Sequence, residues 1–265
     1  MRYFLHLGFD GTRYSGWQKQ TNSLNTVQEV VEQSLIHLFK KPITVYGCGR
    51  TDAGVHASQY ILHINLEEAP TFDLLYRLNK KLPEDIAVFE ILEVKEDQHA
   101  RYDATSRSYD YFIHWKKDPA LIRYSTFIED IQMDFDRMQK AADLLLKTKD
   151  FKRLCKQPDS YKNTLCHLTT STLFVDEERG RLRYRISSNR FLRGMVRICV
   201  FLLLKVGSGQ MSLKEFEAFL KQEKEIKQLH PALPQGLFLS EIEYPFVEFK
   251  ESHHLMQMLK MGLEE

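Results

Sequence analysis

Three glycines in eight residues, and an arginine and an aspartate on either side of one threonine, single out the segment GCGRTDAGVHA (47–57) as the part of the chain best suited to chemistry. A backbone so rich in glycine can approach a ligand closely, and Arg50 and Asp52 are presented at the end of an apolar, strand-like run. A phosphate-binding P-loop is excluded because no Lys-Ser/Thr pair follows the last glycine. An aspartic-protease D-T-G is disfavoured because Ala53 takes the place of the hydroxyl residue and no second copy exists in the chain. A structural turn is the remaining bland reading.

The second chemical signal is a run of arginines. Lys147 to Arg197 holds thirteen Lys/Arg against five Asp/Glu, and Arg179 to Arg197 holds seven arginines and no acid. The formal net charge of +1 hides this asymmetry. A solvated charged face is the ordinary explanation of a charge run, but the guanidinium fork matches phosphate and stacks on bases. Arg190, Arg193 and Arg197 at i, i+3 and i+7 predict one cationic helix face, with Gly194 allowing another backbone close. On that reading Arg190 and Arg193 contact phosphates. Cys166 beside His167 lacks a third ligand nearby, which argues against a metal site or a thiol nucleophile.

The elements that position these residues follow from periodicity and caps. Arg2 to Asp10 reads as a strand, followed by a loop, RYSGWQKQ. Thr26 and Glu29 have capping-box spacing ahead of a helix through Val27, Val31, Leu35 and Leu38. Ile43 to Cys48 and Ile61 to Leu66 read as strands flanking the glycine loop, Phe72 to Asn79 as a helix and Ile86 to Val94 as a strand. The second half loosely repeats this βαββαβ order. It has a strand at Tyr109 to His114, a helix capped by Asp134, and strands at Leu168 to Val175 and Leu182 to Ser187. A long helix after Asn189 runs to about Val206, a short one opens at Ser212/Glu215, and a last strand covers Gly236 to Tyr244. The tail from Glu248 reads as a peripheral helix.

Length and composition set outer bounds. With 265 residues, 43% hydrophobic and 28% charged, the chain can bury one large core or two small ones and is neither collagenous nor disordered. Its longest apolar stretch, Ile198 to Leu204, is far short of a membrane span, and MRYFLHLGFDG carries no secretion signal. Four cysteines without C-x-x-C spacing read as reduced thiols of a cytoplasmic protein.

Six ordered blocks, FDGTRYSGWQKQ, TVQE, GRTDAGVHA, HARYDATSRSYDY, NRFLRGMVR and PQGLFLSEIEY, resemble the bacterial tRNA pseudouridine synthase A family over nearly the whole chain. The resemblance implies conversion of uridine to pseudouridine in the anticodon stem-loop of tRNA, at positions 38–40, by a homodimer without metal or organic cofactor. It implies that Asp52 is the essential catalytic aspartate, a role that suits a carboxylate able to act as nucleophile or base at the ribose or the uracil. Tyr109 is implied to stack on the flipped uracil, with Tyr111 buttressing it. Arg197 is implied to pair with Asp52, Arg50 to insert where the nucleotide leaves the stack, and Leu237 and Leu239 to wall the base from water. Phe201, where the family usually has a small residue, and Cys166, where a basic residue is more usual, depart from the pattern and bear on target choice. An RNA stem-loop binder without turnover is the competing reading, although a binder gains nothing from a carboxylate beside phosphates. A hydrolase would need a second carboxylate that this loop lacks.

The expected fold is α/β (α+β): two ferredoxin-like halves, 1–105 and 106–247, sharing a continuous, mostly antiparallel sheet with a central RNA-binding cleft, followed by a tail at 248–265.

Overall fold

A computed structural model describes residues 1–21, 25–129, 132–226, 229–249 and 254–263. They form nine strands and six α-helices with mixed, mostly antiparallel pairing. They gather in two compact units, 1–106 with 238–256 and 107–237 with 257–265.

In the first unit β1 (Arg2–Phe9) is central, antiparallel to β3 (His56–Asn65) and to β4 (Ile86–Val94), and β2 (Tyr46–Gly47) pairs with β3. The resulting order β4-β1-β3-β2 is that of a ferredoxin-like half. Helix α1 (Val27–Phe39) starts where the Thr26 side chain accepts from the Glu29 amide. Helix α2 (Leu74–Asn79) starts two residues after the expected segment opens, because Asp73 caps it through the Tyr76 amide. The core is built from Leu5, Leu7, Val31, Leu35, Leu62 and Ile64, all essentially buried. The strand expected over Ile43 to Cys48 shrinks to two residues, and β3 starts at His56 rather than Ile61. Pairing with β1 as far as Phe9↔Ala57 draws the end of the glycine loop into the strand.

Strand β9 (Leu237–Glu243) belongs from Phe238 onward with the first unit. It runs parallel to the start of β3, and the Ile242 amide donates to Gln59 Oε1 at 2.6 Å.

In the second unit β5 (Ser106–His114), β8 (Arg181–Ser188) and β7 (Leu168–Asp176) form an antiparallel array, with the short β6 (Thr126–Phe127) parallel to β5. Helix α3 (Phe135–Lys147) is capped by Asp134, buries Met138, Ala141, Ala142 and Leu145, and is tied to β7 by Gln139. Helix α5 (Leu213–Leu220) opens with a complete Ser212/Glu215 capping box. Helix α6 (His254–Lys260) forms in the tail. Arg181 and Arg183 donate to the Met261 and Leu263 carbonyls at 2.6 and 2.9 Å, and Leu263 is buried, so the end of the tail is held more firmly than the sequence suggests.

The largest departure is α4 (Met195–Gly207), which begins at Met195 and not after Asn189. Gly194 sits at φ 72°, a left-handed conformation that ends the approach and starts the helix. Residues 189–193 are held outside the helix by other partners. Asn189 exchanges hydrogen bonds with His167, the Arg193 amide donates to the Tyr161 hydroxyl, and the Lys156 amide donates to the Arg193 carbonyl. Arg190 and Arg193 therefore do not share a helical face with Arg197. Gly194 also faces the aliphatic part of the Lys156 side chain, not another backbone.

Candidate active site

In the first unit the glycine loop is fixed from behind at almost every residue. The Cys48 amide donates to the Ile61 carbonyl at 2.8 Å, and the Tyr60 hydroxyl donates to the Gly49 carbonyl at 2.6 Å. The Trp17 amide donates to the Thr51 carbonyl, the Gly54 amide to the Tyr14 carbonyl and the Val55 amide to the Asp52 carbonyl, at 3.2 to 3.3 Å. Trp17 stacks on Tyr60 with ring centroids 3.9 Å apart, so the segment 14–17 and β3 form the bed on which the loop lies. At the loop's far end the Gly11 amide donates to His56 Nδ1 at 3.1 Å. Asp52 is half-buried at the crest, and the exposed Arg50 donates from Nε to Gln18 Oε1 at 3.1 Å. Leu239, buried, pairs with Ala57 just beyond the loop, and Phe238 stacks on His56 at 4.6 Å.

Such a bed needs glycine where chains cross. A Cβ on Gly11 would lie 2.0 Å from the Val55 carbonyl oxygen, and one on Gly16 would lie 2.5 Å from that of Thr51. These contacts reveal what the sequence reading missed: Gly11, Tyr14, Gly16, Trp17 and Tyr60 shape the loop. The signal of the first four was present in DGTRYSGW, whose glycines and aromatics read only as a loop.

In the second unit Tyr109 on β5 is half-exposed, with Phe191 standing edge-on at 5.1 Å. Tyr111 is completely buried, and its hydroxyl lies 2.7 Å from Thr126 Oγ1 and 2.8 Å from the Leu233 carbonyl. Burial pushes its pKa up to about 12, against smaller opposing effects of the Thr126 hydrogen bond and the Arg197 charge. Tyr111 is therefore a neutral support. Arg197, on the first turn of α4, is half-buried and is steered by the segment before β9. Its Nε donates to the Ala232 carbonyl at 2.6 Å, while the Ala232 amide donates back to the Arg197 carbonyl at 2.9 Å. The 3₁₀ turn Pro234–Gly236 then delivers Leu237, which is buried. A Cβ on Gly236 would meet the Phe112 carbonyl oxygen at 2.6 Å, so glycine is required for that approach.

The arginine run divides by role. Arg183 is buried with its Nε 2.6 Å from Asp110, Arg185 reaches the other Asp110 oxygen at 3.3 Å, and Arg179 and Arg181 pair with Asp176. These four serve the sheet, and the phosphate-binding reading of the whole run does not hold for them. Arg190 and Arg193 remain at the surface on a different support. Arg190 lies 5.7 Å over the Tyr161 ring, and Arg193 donates to Gln157 Oε1 at 2.6 Å. Cys166 is buried and its thiol is pushed up to about 11 by burial, which suits packing and not nucleophilic attack. Phe201 stands edge-on to His230 and carries Lys205 over its ring at 5.1 Å.

Arg50, Asp52 and Leu239 are thus brought together in the first unit, and Tyr109, Arg197 and Leu237 belong to the second. Among the described residues no group of three or more His, Cys, Asp or Glu is placed to hold a metal ion, and no helix is long and apolar enough to cross a membrane.

The family model described as tRNA pseudouridine synthase matches residues 7–103 and 141–245, which include the glycine loop, α4 and most of the strands. The chain is 37% identical over 249 residues to the tRNA pseudouridine synthase A of Porphyromonas gingivalis, covering 92% of this chain and 97% of that protein. It is 38% identical to the tRNA pseudouridine synthase A of Bacteroides fragilis, covering 92% and 96%. Identity to the protein of that name from Acetivibrio thermocellus is 36%, covering 91% and 98%. A fixed glycine loop presenting an aspartate, agreement of that loop with the family model and matched length throughout lead to one conclusion: the chain belongs to the tRNA pseudouridine synthase family, enzymes that isomerise uridine to pseudouridine.

Proposed function

We propose that this enzyme isomerises uridine at positions 38–40 of the tRNA anticodon stem-loop, acting as a cytoplasmic homodimer with Asp52 as its catalytic carboxylate. The observation that carries the reading is the half-buried Asp52 on a loop held from behind by Tyr14, Trp17 and Tyr60. A group that must meet one atom of a flipped nucleotide benefits from a fixed backbone beneath it.

In the reaction the N1–C1′ bond breaks, the uracil turns, a C5–C1′ bond forms, and the C5 proton is lost as N1 gains one. Asp52 acts at the ribose or the base as nucleophile or base. Arg197 serves as its countercharge, oriented by the Ala232 carbonyl. Tyr109 stacks on the uracil, Arg50 fills the place the nucleotide leaves, and Leu237 and Leu239 keep water from the base. Arg190 and Arg193 contact the tRNA backbone from the turn before α4.

The test is tritium release from 5-tritiated uridine in tRNA, run beside filter binding. Asp52→Asn should abolish release while binding tRNA as well as the wild type or slightly better, since one negative charge is gone from an anion-binding site. Substantial residual turnover refutes the catalytic assignment. Carbodiimide mapping of the product then reads the position, and pseudouridine outside the anticodon stem-loop refutes the target.

A further inference from the structure

The first unit carries a second group of side chains that no step of uridine isomerisation uses. Tyr46 on β2 stacks on His63 of β3, with centroids 4.8 Å apart and planes 12° apart. His63 meets His99 at 4.5 Å in an edge-on contact, and His99 lies 4.3 Å from Tyr102. The inner ring is hidden and the outer ones are open: His63 is 1% exposed, Tyr46 42% and Tyr102 75%. Burial, with the charges of His99 and Arg2, lowers the His63 pKa to about 3, so Tyr46 rests on an uncharged ring and turns its other face to solvent.

The turn that presents Tyr102 is fixed. The Ala100 amide donates to His63 Nδ1 at 3.2 Å, and the Ala100 carbonyl accepts from the Tyr244 hydroxyl at 2.5 Å. The His99 amide donates to Asp103 Oδ2 at 2.7 Å, which turns that carboxylate into the loop. A backbone held this firmly could have folded a large aromatic ring inward, where burial of its apolar surface is favourable. Instead Tyr102 stands out with the Arg101 guanidinium 5.9 Å from its ring. Exposed aromatic faces beside a cation are what unpaired bases and their phosphates recognise.

Position supports the same occupant. Tyr46 precedes Arg50 by four residues, a span of at most about 14 Å even when fully extended. A nucleotide on Tyr46 therefore lies within a few steps of the one at the catalytic loop, where flipping has already loosened the stack.

We propose that Tyr46 and Tyr102 form a stacking platform for an unpaired nucleotide of the same tRNA, outside the uridine pocket, with Arg101 adding positive charge for the adjacent phosphate. The proposal rests on the assignment of tRNA as substrate. The experiment compares Tyr46→Leu, Tyr102→Leu and the double variant with Tyr46→Trp and Tyr102→Phe, which keep a stacking face. Filter binding gives Kd for tRNA, tritium release at saturating tRNA gives kcat, and urea midpoints and sedimentation report folding and assembly. Each leucine variant should raise Kd about 5- to 150-fold, the equivalent of the ~1–3 kcal/mol found per stacked base. The dependence of log Kd on log salt should keep its slope, kcat should hold, and the Trp and Phe variants should bind as the wild type does.

Unchanged Kd in both leucine variants overturns the platform, as does a loss that the Trp and Phe variants share. A loss accompanied by conversion of dimer to monomer also overturns it, because the patch would then be an interface with a second copy. Tyr102, exposed as it is, keeps the test open should Tyr46→Leu fail to fold. The two readings fail distinguishably: wild-type protein that neither binds nor isomerises tRNA refutes the proposed function, whereas a failed platform leaves wild-type turnover intact.

Discussion

Replacing Gly16 by alanine should damage catalysis without touching any group that meets the substrate. Gly16 lies at φ 93°, where an L side chain is strained, and an added Cβ would be 2.5 Å from the Thr51 carbonyl oxygen, 3.2 Å from the Asp52 carbonyl carbon and 3.3 Å from the Ala53 amide nitrogen. Ordinary contact begins at 3.4 Å, so relief of the first clash alone requires movement of about 0.9 Å, the difference between 3.4 and 2.5 Å. The atoms in the way are backbone, and the Trp17 amide is hydrogen-bonded to that same Thr51 oxygen, so the loop under Asp52 must shift as a piece. A misplacement of about 1 Å commonly costs on the order of 10²-fold in rate. The strained backbone adds about 1–3 kcal/mol of destabilisation. Gly16→Ala should therefore lower kcat on the order of a hundredfold in tritium release and lower the urea midpoint, while tRNA affinity changes little. Gly49→Ala is the matched comparison for the midpoint, because a Cβ there meets nothing within 4 Å. Wild-type kcat and midpoint for Gly16→Ala, or an equal fall in midpoint for Gly49→Ala, would refute the claim that close approach behind the loop positions Asp52.

Three further outcomes test the surrounding structure. His6 is buried between Phe89 and Phe249 with no hydrogen-bond partner on either ring nitrogen among the described residues, and burial lowers its pKa from 6.5 to about 4. The unfolded chain takes up that proton below pH 6.5 and the folded one only near pH 4, so stability falls as pH drops through this window, by about 2 kcal/mol from this group at pH 5. His6→Phe should flatten the urea midpoint against pH, and an unaltered slope would show that His6 is not the group responsible. Asp110→Asn leaves Arg183 buried without its carboxylate and should cost about 3–5 kcal/mol in a urea titration; a loss under 1 kcal/mol would mean the cluster is solvated. With its pKa near 11, Cys166 should react with iodoacetamide at pH 8 on the order of a hundredfold more slowly in the folded protein than an ordinary thiol. Prompt alkylation would contradict its burial.

Local signals in the sequence determined a good part of this protein. The caps at Thr26, Asp134 and Ser212 start α1, α3 and α5 where their side chains reach the third amide onward. Short apolar runs in Arg2–Phe9 and Ile86–Val94 make strands, and glycine density makes the loop that carries Asp52, because each depends on residues within a few positions of one another. Tertiary structure decided the rest. Helical spacing put Arg190 and Arg193 on α4, but a left-handed Gly194 and hydrogen bonds of Arg193 to the Tyr161 hydroxyl and from the Lys156 amide, both remote in sequence, hold them outside it. The arginine run read as one patch, but strand alternation and register turned Arg183 and Arg185 toward Asp110. The placement of Asp52 likewise depends on Tyr14, Gly16 and Trp17, some 35 residues earlier, whose contacts with the loop exist only once β1 and β3 have paired. A sequence states which groups are available; which carboxylate an arginine meets, and which backbone a glycine must admit, is fixed by chain segments that only folding brings within a few ångströms.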